Sequence, residues 1–307
     1  MSIKVNTVMG NKKWDTSLMP DLSGKVAVIT GGNAGLGYEI SLQLAKRNAE
    51  IVIACRTESK GFDAIKRIEG AIGRKIEAEV IRLDLSDFDS VRAFAEEFKS
   101  RHEQLDLLIN NAGVVNLKER EETASGLEMH MATNHYGHFL LTGLLYPFIV
   151  KTPDARVVTM SSGGHKFADL NFDDLNWNNR PYDRTKSYGD SKLANLLFAR
   201  ILQQRFEMDK SSAISLAAHP GLSATERQQT IGVGGWLTRI LAQPVWMGAL
   251  PALRAATDPE AKPLEYYGPR WGIRGYPVLE KMSPKAHDQQ LAEKLWKVSE
   301  EVTGVKY

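Results

Sequence analysis

The stretch Lys25-Val26-Ala27-Val28-Ile29-Thr30-Gly31-Gly32-Asn33-Ala34-Gly35-Leu36-Gly37 decides how this chain is read. Its first half is a short β-branched apolar run without polar alternation, the pattern of a strand buried on both faces. Its second half is a glycine cluster, and residues 35–48 then carry Leu36, Ile40, Leu44 and Ala45 at helical spacing. Strand, turn and helix in that order place the helix N-terminus, with its free N–H groups and partial positive charge, at the glycines. Side chains there would keep an anion off the backbone. Gly31, Gly35 and Gly37 therefore suit the pyrophosphate of a dinucleotide, with Asn33 and Leu36 in the same turn. The spacing is Gly-x-x-x-Gly-x-Gly rather than the commoner Gly-x-Gly-x-x-Gly, and a plain glycine-rich turn explains the same residues.

Outward from this stretch, strand and helix patterns alternate. Residues 51–55 read as a second buried strand, 59–73 as a helix and 75–83 as a third strand. Ser86-Asp87 opens a helix with Val91, Phe94, Ala95 and Phe98 on one stripe, and residues 105–109 form a fourth strand running into Asn110-Asn111-Ala112-Gly113. Residues 123–149 read as mostly helical, 155–160 as strand, 182–208 as a long helix, and 213–218 as a strand closed by His219-Pro220-Gly221. Short links between such elements imply right-handed crossovers and a parallel sheet covered on both faces. The expected fold is α/β, a single-domain doubly wound parallel sheet of Rossmann type over residues 25–307, after a polar leader at 1–24. Residues 225–251, the least regular segment, are expected to form a substrate lid.

Composition narrows the function classes. Among 307 residues, 43% are apolar and 25% charged, which allows a sizeable core. Lys and Arg number 39 against 37 Asp and Glu, a balance that gives no reason to expect nucleic acid or an anionic membrane as partner. Cys55 is the one cysteine, so no intramolecular disulfide forms, and the opening residues lack the apolar core of a signal peptide or membrane anchor. The expected setting is cytoplasmic. No His/Cys/Asp/Glu cluster has metal-site spacing.

Which dinucleotide would bind is read just beyond the second strand. An acid there would accept ribose hydroxyls and repel a 2′-phosphate. This strand ends Ala54-Cys55-Arg56, with a guanidinium in place of a carboxylate, so Arg56 points to NADP(H), unless it is a solvated surface arginine. Asp84, followed by Leu85, closes the third strand where an adenine would rest; an N-cap-like role explains Asp84 equally well.

Tyr188-Gly-Asp-Ser-Lys192 places a phenol and an ammonium just over one helical turn apart, on one face. A nearby cation favours phenolate, and the expectation is a phenol tuned toward working pH and able to exchange a proton with an alcohol or carbonyl. Such pairs also occur on ordinary helix surfaces.

At this point the chain resembles the short-chain dehydrogenase/reductase family, over nearly its whole length. The resemblance rests on the glycine run, Asn110-Asn111-Ala112-Gly113, Asn134, Ser161-Ser162, Tyr188-x-x-x-Lys192 and Pro220-Gly221-x-x-x-Thr225, in the family's order. Ala54-Cys55-Arg56, Asn134-His135-Tyr136-Gly137-His138-Phe139 and Ser191-Lys192-Leu193-Ala194-Asn195 look like its retinol-dehydrogenase branch. The resemblance implies Tyr188 as general acid and base, Lys192 as the group lowering its pKa and holding the nicotinamide ribose, Ser162 as the hydrogen-bond partner of the substrate oxygen, and Asn134 as holder of a relay water. It further implies that Asn111, Ala112 and Gly113 line the ribose and that Pro220, Gly221 and Thr225 position the carboxamide. Asn110 and Asn134 also serve as satisfiers of buried backbone groups, and His165 and His219 read as structural. The interval from Ser162 to Tyr188 is longer than usual in the family, and the hydrophobic N-terminal anchor common in that branch is not seen.

Trp236, Leu237, Ile240, Leu241, Trp246 and Met247 in and beside the expected lid favour a lipophilic aldehyde, ketone or alcohol, although an amphipathic core helix would show the same stripe. The expected activity is NADP(H)-dependent hydride transfer to or from such a substrate. Two alternatives stand beside it: a non-catalytic NADP(H)-binding sensor or scaffold, and a protochlorophyllide-reductase-like enzyme, whose pattern of further cysteines is not met by Cys55 alone. Homodimers or homotetramers are plausible through Phe139, Leu140, Leu144, Leu196, Leu197 and Phe198, which burial within one subunit explains as well.

Overall fold

The computed structural model describes residues 13–115, 117–222 and 243–307. Its centre is an eight-stranded sheet in the order β3-β2-β1-β4-β5-β6-β7-β8. The strands are β1 (Val26–Thr30), β2 (Glu50–Cys55), β3 (Ala78–Arg82), β4 (Leu107–Asn110), β5 (Arg156–Met160), β6 (Ile214–Ala218), β7 (Tyr266–Pro269) and β8 (Pro277–Leu279). All neighbouring pairs are parallel except β7 with β8. The parallel α/β architecture read from the sequence is the one observed, with one antiparallel edge strand added. β7 and β8 escaped the sequence reading because Gly268, Pro269 and Pro277 are poor strand formers, tolerated here at the sheet's edge.

The helices are α1 (Gly35–Lys46), α2 (Glu58–Ile72), α3 (Phe88–Arg101), the single turn α4 (Met129–Met131), α5 (Gly137–Lys151), α6 (Arg184–Met208), α7 (Val245–Thr257) and α8 (Gln289–Thr303). Strand side chains alternate between two cores. Val26, Val28 and Val52 face α3, α5, α6 and α8, whereas Ala27, Ile29 and Ile53 face α1, α2 and α7. Because every central strand is covered twice, its sequence is a continuous apolar run. Trp14, Met19 and Leu22, within the stretch expected as a polar leader, pack into the second core. Of the expected lid, residues 225–242 lie outside the described residues, and the remainder begins α7. No described helix is long and apolar enough to cross a membrane.

Helix was expected from residue 123, but Thr123–Gly126 makes a turn: Gly126, at φ +79°, donates to the Thr123 carbonyl at 2.9 Å, and Glu122 bridges Glu128. Helix starts only at Met129, where the Glu128 carboxylate accepts from the Met131 N–H. Between α4 and α5, residues Ala132–Tyr136 form a π turn in which Gly137 N–H reaches back to the Ala132 carbonyl.

Of the six side chains considered for subunit pairing, all but the half-buried Leu144 are covered by the chain itself. Trp296 of α8 stacks on Phe198 at 5.9 Å and meets Phe139 edge-on at 4.8 Å. The Tyr307 hydroxyl donates to the Phe139 carbonyl at 3.1 Å. Phe139, Leu140, Leu196, Leu197 and Phe198 are buried in the subunit.

Two histidines of this region stay neutral because of burial, which pushes His135 down to about 3 and His138 down to about 4. Their unfolded counterparts titrate near 6.5, so the unfolded chain takes up protons that the native state refuses. These residues contribute nothing to pH dependence above about 6.5, and below it each removes about 1.4 kcal/mol of stability per pH unit down to its own native value. Urea unfolding at pH 7, 6 and 5 should show this loss, and His135→Asn should make the slope shallower.

Candidate active site

The strand order reverses between β1 and β4, and their following chains leave for opposite faces of the sheet. A crevice opens between such strands at their carboxyl ends. Gly31 leaves β1 at φ +67° with its N–H on the Ala54 carbonyl at 2.7 Å. Gly35, exposed at φ +54°, starts α1, whose N-cap Ala34 offers no side-chain acceptor. The first N–H groups of α1 are thus without a side-chain cap, which fits a pyrophosphate. Asn33 and Leu36 are half-buried beside them. Gly37 is buried, and a Cβ there would collide with the Gly31 carbonyl oxygen. It acts by letting α1 close on the turn.

Across the crevice, the Asn111 amide donates to the Thr30 carbonyl at 2.8 Å, and the N–H groups of Asn111 and Ala112 both donate to the Thr30 hydroxyl at 2.9 Å. Gly113 stands next in line; a Cβ there would lie 2.9 Å from Asn134 Oδ1 and 3.6 Å from Lys192 Nζ. Further out, Arg56 follows β2 directly and is exposed. Asp84 Oδ1 accepts from the Ser86 N–H at 3.0 Å and its hydroxyl at 2.7 Å, so it stabilises a local turn, while Asp87 caps α3. The N-cap-like role considered for Asp84 therefore belongs to Asp87. Leu85 is buried, its carbonyl against Gly137.

At the end of β5 the two serines diverge. Ser161 is buried and donates to the Lys192 carbonyl at 2.8 Å, clamping α6 to the sheet. Ser162 turns to the crevice side, where its Oγ accepts from the Gly164 N–H at 3.1 Å and pairs with the Tyr188 phenol. Gly164 leaves room for that ring, since a Cβ there would stand 3.3 Å from its edge. Lys192 is buried one turn along α6, its Nζ donating to the Met160 carbonyl at 3.2 Å and lying 5.7 Å from the centre of the Tyr188 ring.

The electrostatics differ from the sequence expectation. Burial raises the Tyr188 phenol above its ordinary value, and the hydrogen bond with Ser162 opposes that rise. Tyr188 retains partial exposure, which limits the rise. The ammonium, held by a backbone carbonyl, does not reverse it. Burial also pulls Lys192 down to about 8, so both members of the pair are pushed toward their neutral forms.

Asn134 lies in the π turn. Its Oδ1 accepts from the Val114 N–H at 2.7 Å, and its amide donates to the Val114 carbonyl at 3.0 Å and Ser191 Oγ at 2.9 Å. Both amide hydrogens are engaged, which leaves the side chain a strut between the loop after β4 and α6.

The Pro220 carbonyl accepts from Gln243 Nε2 at 2.8 Å, and Gly221, at φ +64°, has no space for a Cβ beside the Ile273 carbonyl. Thr225 lies outside the described residues. His165 Nδ1 approaches the Ser162 carbonyl at 2.6 Å and its Nε2 accepts from the Ser283 N–H at 3.1 Å, shaping the turn behind Ser162. His219 faces Glu280 at 3.2 Å. Among the described residues no cluster suits a metal ion.

A glycine-turn crevice, a Ser–Tyr pair and a buried Lys on one parallel sheet agree with the comparison by sequence, in which the model of the short chain dehydrogenase family matches residues 25–233. The chain belongs to the short-chain dehydrogenase/reductase family. Within it, the sequence falls in the retinol-dehydrogenase-like branch: it is 38% identical to bovine retinol dehydrogenase 12 over 294 residues, covering 93% of this chain and 88% of the relative. The human retinol dehydrogenase 12 is likewise 38% identical over the same shares of both chains. Among solved structures, an uncharacterized protein from Mycobacterium paratuberculosis superposes with a TM-score of 0.81 at 35% identity, covering 96% of this chain and 99% of that one. A short chain dehydrogenase from Shigella flexneri, solved with NADP, shares the fold with a TM-score of 0.63 at 19% identity, over 80% and 96% of the two chains.

As a dehydrogenase of this family, the chain needs its glycine turn closed. Gly37→Ala is expected to cost about 1–3 kcal/mol of stability by overpacking, and to weaken nicotinamide dinucleotide binding about tenfold. Gly70→Ala, in α2 where nothing lies within 4 Å of the added methyl, should leave binding unchanged. Thermal melts and a fluorescence titration with the dinucleotide read both effects.

Proposed function

We propose that this oxidoreductase uses NADP(H) to move hydride to or from the carbonyl or alcohol carbon of a lipophilic small molecule. The observation that carries this reading is the Tyr188 phenol hydrogen-bonded to Ser162, with Lys192 Nζ 5.7 Å from the centre of its ring and 3.6 Å from where a Cβ at Gly113 would stand. The dinucleotide, when bound, supplies or takes the hydride. Ser162 hydrogen-bonds the substrate oxygen, and Tyr188 gives its proton to that oxygen in reduction and takes one in oxidation. Burial that lifts the phenol's pKa keeps it a proton donor at neutral pH. Lys192, at about 8, is mostly protonated there, holds the ribose and replenishes the proton. The amide of Asn134 is occupied, so a relay water would be held by its backbone carbonyl, which accepts from His138 Nδ1 at 3.0 Å and has a second lone pair.

Arg56 would grip the 2′-phosphate: it is exposed, follows β2 directly, and stands where an acid would exclude that phosphate. Gly31, Gly35, Asn111, Ala112, Gly113, Pro220, Gly221 and Thr225 would line the rest of the cofactor, with Asp84 and Leu85 at its adenine end. The lipophilic substrate is supported by the exposed Trp246 within the expected lid segment and by the retinol dehydrogenases among the relatives.

Turnover is read from nicotinamide absorbance with NADPH and a panel of aldehydes. Tyr188→Phe should lose about 10²–10⁴ in kcat, and Ser162→Ala about 10²–10³. Ser161→Ala should keep kcat and lose about 1 kcal/mol of stability. A Tyr188→Phe enzyme as fast as wild type would remove the assigned chemistry. Arg56→Asp should raise the KM for NADPH about tenfold or more while leaving that for NADH nearly unchanged; equal effects on both would remove the preference for NADP(H).

A further inference from the structure

His138 is buried in the first turn of α5 with both ring nitrogens engaged. Nδ1 lies 3.0 Å from the Asn134 carbonyl oxygen, and Nε2 lies 2.9 Å from the Thr30 hydroxyl. A carbonyl only accepts, so Nδ1 must carry the hydrogen. The ring is neutral, because burial and the nearby Lys192 charge hold it at about 4, so Nε2 is a bare acceptor. The Thr30 hydroxyl then donates to Nε2 at 2.9 Å, the nearer of its two acceptors, with the Ile109 carbonyl at 3.3 Å, and this leaves its two lone pairs for the N–H groups of Asn111 and Ala112.

The ring therefore joins the two halves of the crevice. On one side it fixes the rotor of Thr30, whose oxygen holds the turn after β4 against the glycine turn after β1. On the other it holds the carbonyl of Asn134 within the π turn, where backbone pairing runs one residue wide. Gly137 makes this reach possible by letting α5 lie against the Leu85 carbonyl.

We infer that His138 is a positioning residue with two separable tasks, shaping the cofactor-binding turn through Thr30 and the proton-relay turn through Asn134. The inference rests on the oxidoreductase reading for the meaning of its two ends. The tasks separate because an asparagine amide can replace Nδ1 and a glutamine carbonyl can replace Nε2. His138→Asn keeps the bond to Asn134 and loses the acceptor for Thr30, so its Kd for NADPH should rise about tenfold, with kcat at saturating NADPH within about threefold of wild type. His138→Gln keeps the Thr30 bond and loses the other, so kcat should fall about tenfold with Kd nearly unchanged. Thr30→Val should reproduce the His138→Asn behaviour.

A purely structural histidine would instead give both variants the same rise in Kd and the same fall in kcat and melting temperature, and that result overturns the proposal. Nitrogen-15 NMR of the wild-type protein decides independently of any variant's folding. The expected spectrum shows a protonated Nδ1 and a bare Nε2, unchanged between pH 8 and pH 5; the other tautomer, or titration near the ordinary value, overturns the proposal. Should wild type neither bind NADPH nor reduce any aldehyde, the oxidoreductase reading fails and this tautomer result still stands or falls alone.

Discussion

Two neighbouring strands, β1 and β4, end side by side and send their chains to opposite faces of the sheet. Every feature of the candidate site depends on that divergence. The glycine turn leads into α1 against one core, and the turn at Asn111 leads toward α5 against the other. The gap is kept open and shaped by a few polar groups, buried Thr30 and half-buried Asn111 above all, whose hydrogen bonds replace the sheet ladder where it stops. At these strand ends, such groups set the positions of backbone atoms rather than stabilise the core.

The proton-transfer end works under a different constraint. Burying Lys192 and packing protein around Tyr188 disfavours the charged form of each, and at the phenol the hydrogen bond with Ser162 only partly offsets this. The result is a phenol that holds its proton and an ammonium that gives its proton up readily. In the mechanism proposed above, that ordering suits reduction, in which the phenol donates a proton and is refilled from behind.

Much of this was legible in the sequence because it rests on backbone periodicity. The apolar runs at 25–30 and 51–55 have no polar alternation, which only a doubly covered strand tolerates, and the glycine run could belong only to a close turn. The choice of Ser162 over Ser161 came from family resemblance alone; the geometry gives it a cause, since Ser161 is spent on the Lys192 carbonyl. What stayed hidden was anything fixed by tertiary packing. The fall of Lys192 and rise of Tyr188 come from burial, which a four-residue spacing does not convey. That the Asn134 amide is not free to hold a water shows only once Val114 and Ser191 are seen to occupy it. Thr30 and His138 carried one faint signal, a polar residue closing an otherwise apolar strand and a histidine four positions after Asn134. The strands β7 and β8 carried none, because proline and glycine make them look like loop.

The aromatic cover on α5 and α6 has a consequence for how the protein is made. Phe139 and Phe198 find their partner in Trp296, on an element that leaves the ribosome nearly a hundred residues after Phe198. Until α8 has been translated, α5 and α6, the second of which carries Tyr188 and Lys192, have a bare hydrophobic flank. That interval is when chaperones would have most to hold.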